Sequence, residues 1–117
     1  NTLYQEETIN LDYLLGILNS ILLDWRFKLT SSNNHIGNYE LGELPIHIPK
    51  GQESKIIELL VKKIIANPLE IKYVAELNVN VFKIYKISSD EIKHILNAYK
   101  KTDMIDMILN TIKNYDL

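Results

Sequence analysis

Three histidines, His35, His47 and His94, are the side chains closest to metal or acid–base chemistry. None stands in an HxH or HExxH spacing, so no metal site is expected from them; surface or loop histidines are the plain reading. Cysteine is absent, which removes thiol nucleophiles and thiolate ligands. Gly16, Gly37, Gly42 and Gly51 are scattered, so no loop cradles a phosphate. No serine occupies a nucleophile elbow. The acids spread over helix surfaces, where solvated charge is the default. No catalytic residue and no metal ligand is therefore assigned. What remains is the polar loop from Ser31 to Tyr39. Asn side chains pair well with adenine, Ser serves several bases, and the upstream cations Arg26 and Lys28 suit phosphates. The candidate DNA-contacting set is Arg26, Lys28, Ser31, Ser32, Asn33, Asn34, His35 and Asn38. By composition alone a solvated connection explains the same loop, and is favoured.

Several elements must hold that loop. Residues 2 to 9 read as a short strand running into a turn. Asn10 is a plausible N-cap, with Asp12 in the first turn. One helix is then expected from Leu11 to about Thr30. Leu11, Leu14, Leu15, Leu18, Leu22, Trp25 and Leu29 keep one face, widened by Ile17 and Ile21. Leu23 and Phe27 lie on the far side, which places the helix between two layers, one of them missing in so short a chain. After the loop, Leu44, Ile46 and Ile48 alternate with Pro45, His47 and Pro49. The prolines confine this extended segment to a sheet edge or to a non-sheet path along the core. Helices are expected over 52 to 66, ended by Asn67-Pro68, and over 73 to 86. Ser88-Ser89-Asp90-Glu91 is a capping-box signature that opens another. A last helix covers about 103 to 115. The fold class is α+β, predominantly helical.

The chain has 117 residues, a net charge of −2 and a hydrophobic fraction of 46%. That suits one domain with a real core. No apolar run reaches the roughly 18 residues of a membrane span. No signal-peptide layout opens the chain. The charge is uneven: residues 1 to 49 carry net −4 and residues 50 to 117 carry net +2. The chain starts Asn1-Thr2-Leu3, which reads as a trimmed product or a piece of something larger. The net acidity speaks against a freestanding DNA binder, but not against a module whose parent supplies positive charge.

The stretch from Tyr13 to Lys28, YLLGILNSILLDWRFK, strongly resembles the "LLgiLNSkLl-x-[FW]-x-[FY]-K" helix of the TaqI-like C-terminal specificity domain. That domain belongs to type IIG restriction-modification enzymes and adenine-specific DNA methyltransferases. Tyr39 to Pro49 is similar to the family's "y-x-x-x-x-LPIP" segment. Ile57 to Ile64 matches an "I-x-x-L-V-x-x-I" helix. Glu76 to Ile92 follows "eLD-x-x-Vy-x-lYgLt-x-eE-I", with Asn78 in place of the aspartate and Lys86 in place of the glycine. If that glycine permits a left-handed helix end, Lys86 must adopt it at a cost or the turn must differ. The resemblance covers roughly residues 2 to 96.

The resemblance implies that residues 1 to 50 end a target-recognition region and that 51 to 117 form a helical C-terminal segment. Together they make one unit cut from a larger cytoplasmic, prokaryotic enzyme. It implies double-stranded DNA as partner, with an upstream methyltransferase domain in the same chain and no membrane. S-adenosylmethionine would serve the parent, and magnesium too if a nuclease is present; neither is expected in this piece. The "LNS" helix is mainly scaffold, with Asn19 and Ser20 as structural polar residues. Asn67-Pro68-Leu69-Glu70 is similar to the Asn-Pro-Pro-aromatic motif that grips a flipped base, but lacks the second proline and the aromatic, and reads as a helix stop. Two alternatives stand beside the DNA reading. One is a scaffold module that docks the recognition region onto the catalytic domain. The other is part of a multi-subunit specificity protein, which also places an LPIP-like segment before a helix.

Overall fold

The computed structural model describes residues 10 to 31 and 46 to 113. Among these residues the fold is predominantly helical, with no strand. The strand expected over 2 to 9 lies outside the described residues. The helices are α1 (Leu11–Leu18), α2 (Ile21–Ser31), α3 (Glu53–Ala66), α4 (Ile71–Ile84), α5 (Ser89–Leu96) and α6 (Asp103–Ile112).

The long first helix of the sequence reading is two helices. Asn10 caps α1, its side chain accepting from the Asp12 and Tyr13 N–H groups at 2.8 and 3.2 Å. At Asn19-Ser20 the ladder is interrupted by side chains that compete for backbone groups. Asn19 Nδ2 donates to Leu15 O at 2.8 Å, and Ser20 Oγ donates to Ile17 O at 2.7 Å. Ser20 Oγ also accepts from Leu23 N–H at 3.3 Å, in the manner of an N-cap. The break changes the phase of the apolar stripe. Tyr13, Gly16 and Ile17 face the core, while Leu11, Leu15, Leu18 and Leu29 are exposed. Leu23, expected on the far side, is buried at 2% exposure.

α4 is the central element, packing against α3 and α6 and touching α2. Its buried residues Ala75, Leu77, Asn78, Val79, Val81 and Phe82 face several directions at once. Complete burial of a side chain such as Phe82 contributes about 1.5–3 kcal/mol. α1 lies against α3 at Gly16. A Cβ there would meet Ile57 Cγ2 at 2.6 Å, so only glycine permits this approach. α3 ends at Asn67, where Pro68 follows and Asn67 Nδ2 donates to Lys63 O at 3.1 Å. The capping box forms as expected: Ser88 Oγ accepts from Glu91 N–H at 3.2 Å, and Glu91 Oε1 accepts from Ser88 N–H at 2.9 Å.

Two positions that depart from the resembled pattern have defined roles. Asn78 is buried, and its Oδ1 accepts from the Ile21 N–H at 2.7 Å while its Nδ2 donates to Val74 O at 2.9 Å. It therefore satisfies an orphan donor in the first turn of α2 from another helix. Lys86 takes the left-handed conformation, φ 57°, after α4. Lys86 N–H donates to Lys83 O at 3.0 Å and Ile87 N–H to Phe82 O at 2.9 Å, the paired bonds of a Schellman end.

Asn78→Ala should cost about 1–3 kcal/mol in urea denaturation, because it leaves a buried N–H without its acceptor. Asn78→Asp keeps the acceptor and should lose clearly less at pH 7. Lys86→Gly should raise stability by about 1 kcal/mol, by removing the steric penalty of a Cβ in the left-handed region. A variant no more stable than the parent would show that the turn carries no strain.

Candidate nucleic-acid interface

Lys28, Arg26 and the backbone of Ser31 belong to α2. Ser32, Asn33, Asn34, His35 and Asn38 lie outside the described residues. What the structure defines is how the two ends of that loop are held.

The downstream end is the segment from Ile46 to Lys50. Among the described residues it joins no strand, and Ile46 packs against the core. Two tyrosines hold its backbone at one residue. Tyr13 Oη donates to His47 O at 2.8 Å, and Tyr85 Oη accepts from His47 N–H at 2.8 Å. The His47 ring leans on Tyr85, with centroids 5.7 Å apart. Its Nε2 lies 2.9 Å from Glu53 Oε1, which also accepts from the Lys50 N–H at 2.8 Å. His47 is thus a positioned structural residue. Burial, with help from Tyr85 and Glu53, pushes the Tyr13 hydroxyl up to about 12, so it stays a donor at any physiological pH. Burial also raises Tyr85, against the opposing pull of the His47 N–H and of Arg26. Burial pushes the Glu53 carboxyl up, but the Lys50 N–H and His47 outweigh it and hold it below its ordinary 4.5.

The upstream end is pinned at Asp24. Tyr99 Oη donates to Asp24 Oδ2 at 2.6 Å, and Lys28 Nζ lies 3.1 Å from the same oxygen. Burial opposes ionisation of Asp24, but the Tyr99 hydroxyl and then Lys28 prevail and lower its pKa. Burial and the Asp24 carboxylate raise Tyr99. Lys28 also sits over the Tyr99 ring, 5.0 Å from its centroid. An exposed i,i+4 ion pair contributes only a few tenths of a kcal/mol, so it orients Lys28 without removing it from phosphate chemistry.

Arg26 and Lys28 do not form one patch. Two helical steps of about 100° set them on opposite sides of α2. Arg26 lines a groove of about 410 Å³ with Trp25, Asp90, Glu91 and His94. Trp25 is half-buried, as the core reading of its stripe required, and meets His94 edge-on at 6.2 Å. Among the described residues no group of His, Asp and Glu fits a metal ion. Among the described residues no helix is long and apolar enough to cross a membrane.

The sequence reading missed the tyrosine pair. Tyr13 falls off the leucine stripe, and that offset was the available signal: a large aromatic out of phase with its neighbours is placed for another purpose. Compared with protein-family models, curated proteins and solved structures, the chain matches none of them at a significant level.

Stability should fall as the pH drops below about 4.5. The folded-state pKa of Glu53 is depressed, so its contribution is complete above the unfolded value and is lost as the pH falls through the lower folded value. Glu53→Gln keeps an acceptor for Lys50 but does not titrate. Its melting temperature should decline less steeply in acid than the parent's, measured by circular dichroism; equal slopes would remove Glu53 from the acid transition.

Proposed function

We propose that the chain is the DNA target-recognition part of a restriction-modification enzyme or adenine-specific DNA methyltransferase. In that role it positions duplex DNA for adenine N6 methylation, and for cleavage where the parent has a nuclease, by other domains of a prokaryotic cytoplasmic enzyme. The supporting observation is that the resembled motifs meet through specific polar contacts. Tyr13 of the first motif, His47 of the LPIHIP segment and Tyr85 of the fourth motif form one hydrogen-bonded chain, and Asn78 joins the fourth motif to the first at Ile21. Such an arrangement suits a scaffold that presents the intervening loop rigidly from both ends. The four glycines are scattered, so the 117 residues offer no glycine-rich loop for S-adenosylmethionine, and Asn67-Pro68-Leu69-Glu70 lacks the second proline and the aromatic that would grip a flipped adenine. That cofactor, and magnesium for a nuclease, belong to the parent's catalytic domains.

A second reading has its own support. Leu11, Leu15 and Leu18 run along one side of α1, at 80%, 46% and 44% exposure. They suit docking onto a catalytic domain or specificity partner, through a different face from the Leu23 and Phe27 side named by periodicity.

Asn33→Ala, Asn34→Ala and His35→Ala, combined in the full-length enzyme, should alter the methylated target sequence or weaken duplex binding at least several-fold. Methylation assays on defined duplexes and a binding titration read both effects. Unchanged specificity, affinity and rate would overturn the loop assignment and favour docking through α1.

A further inference from the structure

We propose that the groove between α5 and α6 binds the sugar–phosphate backbone of duplex DNA, as a second contact region separate from the loop. The inference rests on the DNA reading above, and adds a site to it. The groove encloses about 770 Å³. Its rim carries Lys93 from α5, Asn97 and Lys101 from the connection, Asn110 from α6 and Lys113 just after it, with the Tyr99 ring as a wall. Leu96, Ile105 and Leu109 form an apolar floor.

Charge decides what such a groove attracts. Three ammonium groups face one carboxylate, Asp106, which stands a loose 3.9 Å from the highly exposed Lys101. Among the described residues no carboxylate comes within ion-pair distance of Lys93 or Lys113. Among the described residues, a chain of net charge −2 thus gathers two cations outside any ion pair and a third only loosely paired in one concavity. Cations also offset the negative helix ends at Lys93 and Lys113, but that needs one lysine per end and does not explain Lys101.

The ligand must match the geometry as well as the sign. Lysines spread over α5, the connection and the end of α6 suit several phosphates in a row better than one enclosed anion. Between them, the Asn97 and Asn110 carboxamides offer donors to phosphate and sugar oxygens. The groove is open and half-polar, unlike a pocket that encloses a small molecule. It is also continuous with the loop anchor: the Tyr99 ring on its wall carries Lys28, three residues before Ser31. Lys28, paired with Asp24, thus adjoins the groove on the side of the Tyr99 ring.

The test is a salt titration of the full 117-residue chain on a labelled 20-base-pair duplex, against the triple variant Lys93→Gln, Lys101→Gln, Lys113→Gln. Loss of three phosphate contacts should flatten the log–log salt slope by about 2.7, roughly 0.9 per contact. Between 50 and 200 mM salt the parent should then lose about 40-fold more affinity than the variant. A variant with the parent's slope and affinity overturns the groove and leaves the loop reading intact. No binding by the parent chain at low salt also overturns the groove, while the loop reading is still decided by the full-length methylation assay. Lysine acetylation of the parent alone guards against a misfolded variant. Duplex DNA should protect Lys93, Lys101 and Lys113 but not Lys62 or Lys72, and equal labelling with and without DNA overturns the proposal.

Discussion

The Asn78 carboxamide is the constraint on which the arrangement of the helices turns. It reaches from the middle of α4 to the first N–H of α2. A helix start buried against a neighbour leaves donors that water cannot reach, and each costs about 1–3 kcal/mol if unmet. With Asn78 and Ser20 in place, the chain can bend between α1 and α2. α1 is then free to lie on α3, where Gly16 lets the two approach closely, and α2 falls across α4. A straight helix through the same residues would satisfy its own backbone but could not follow both partners.

This bend also explains what the sequence did and did not disclose. Helices α3 to α6 were legible because apolar residues recur in each at helical spacing, and Asn67-Pro68 and the Ser88 capping box mark a stop and a start. The Asn19-Ser20 break was not, because both residues are tolerated within a helix when nothing distant competes for the backbone. What competes is Asn78, 57 residues further on. The leucine face inferred for a straight helix was for the same reason largely the solvent face of α1. Pro45 and Pro49 limited the extended segment to two paths, and neither proline points to the tyrosines from α1 and the end of α4 that hold it. The tyrosine anchoring was not legible: Tyr13, Tyr85 and Tyr99 act across 34, 38 and 75 residues, distances at which periodicity carries no information.

Polar contacts between side chain and backbone do much of this positioning. Their net contribution is modest, about 1 kcal/mol each, against the larger burial of Phe82, Ile17 or Ile108. Burial decides that the helices associate. The hydrogen bonds decide the register in which they do so, since a slip by one residue would strand a hydroxyl or an amide in the core.

The two tethers also bear on how such a chain can change over time. Residues 32 to 45 run between α2, fastened at Asp24, and a segment fastened at His47. Closing a loop between fixed ends becomes harder only slowly with length, by about 0.6 kcal/mol for each doubling. Insertions, deletions and wholesale replacement of that stretch are therefore tolerable to the frame, provided the tyrosine contacts survive. The sequence of that stretch can thus change without renegotiating the packing of α1, α2 and α4.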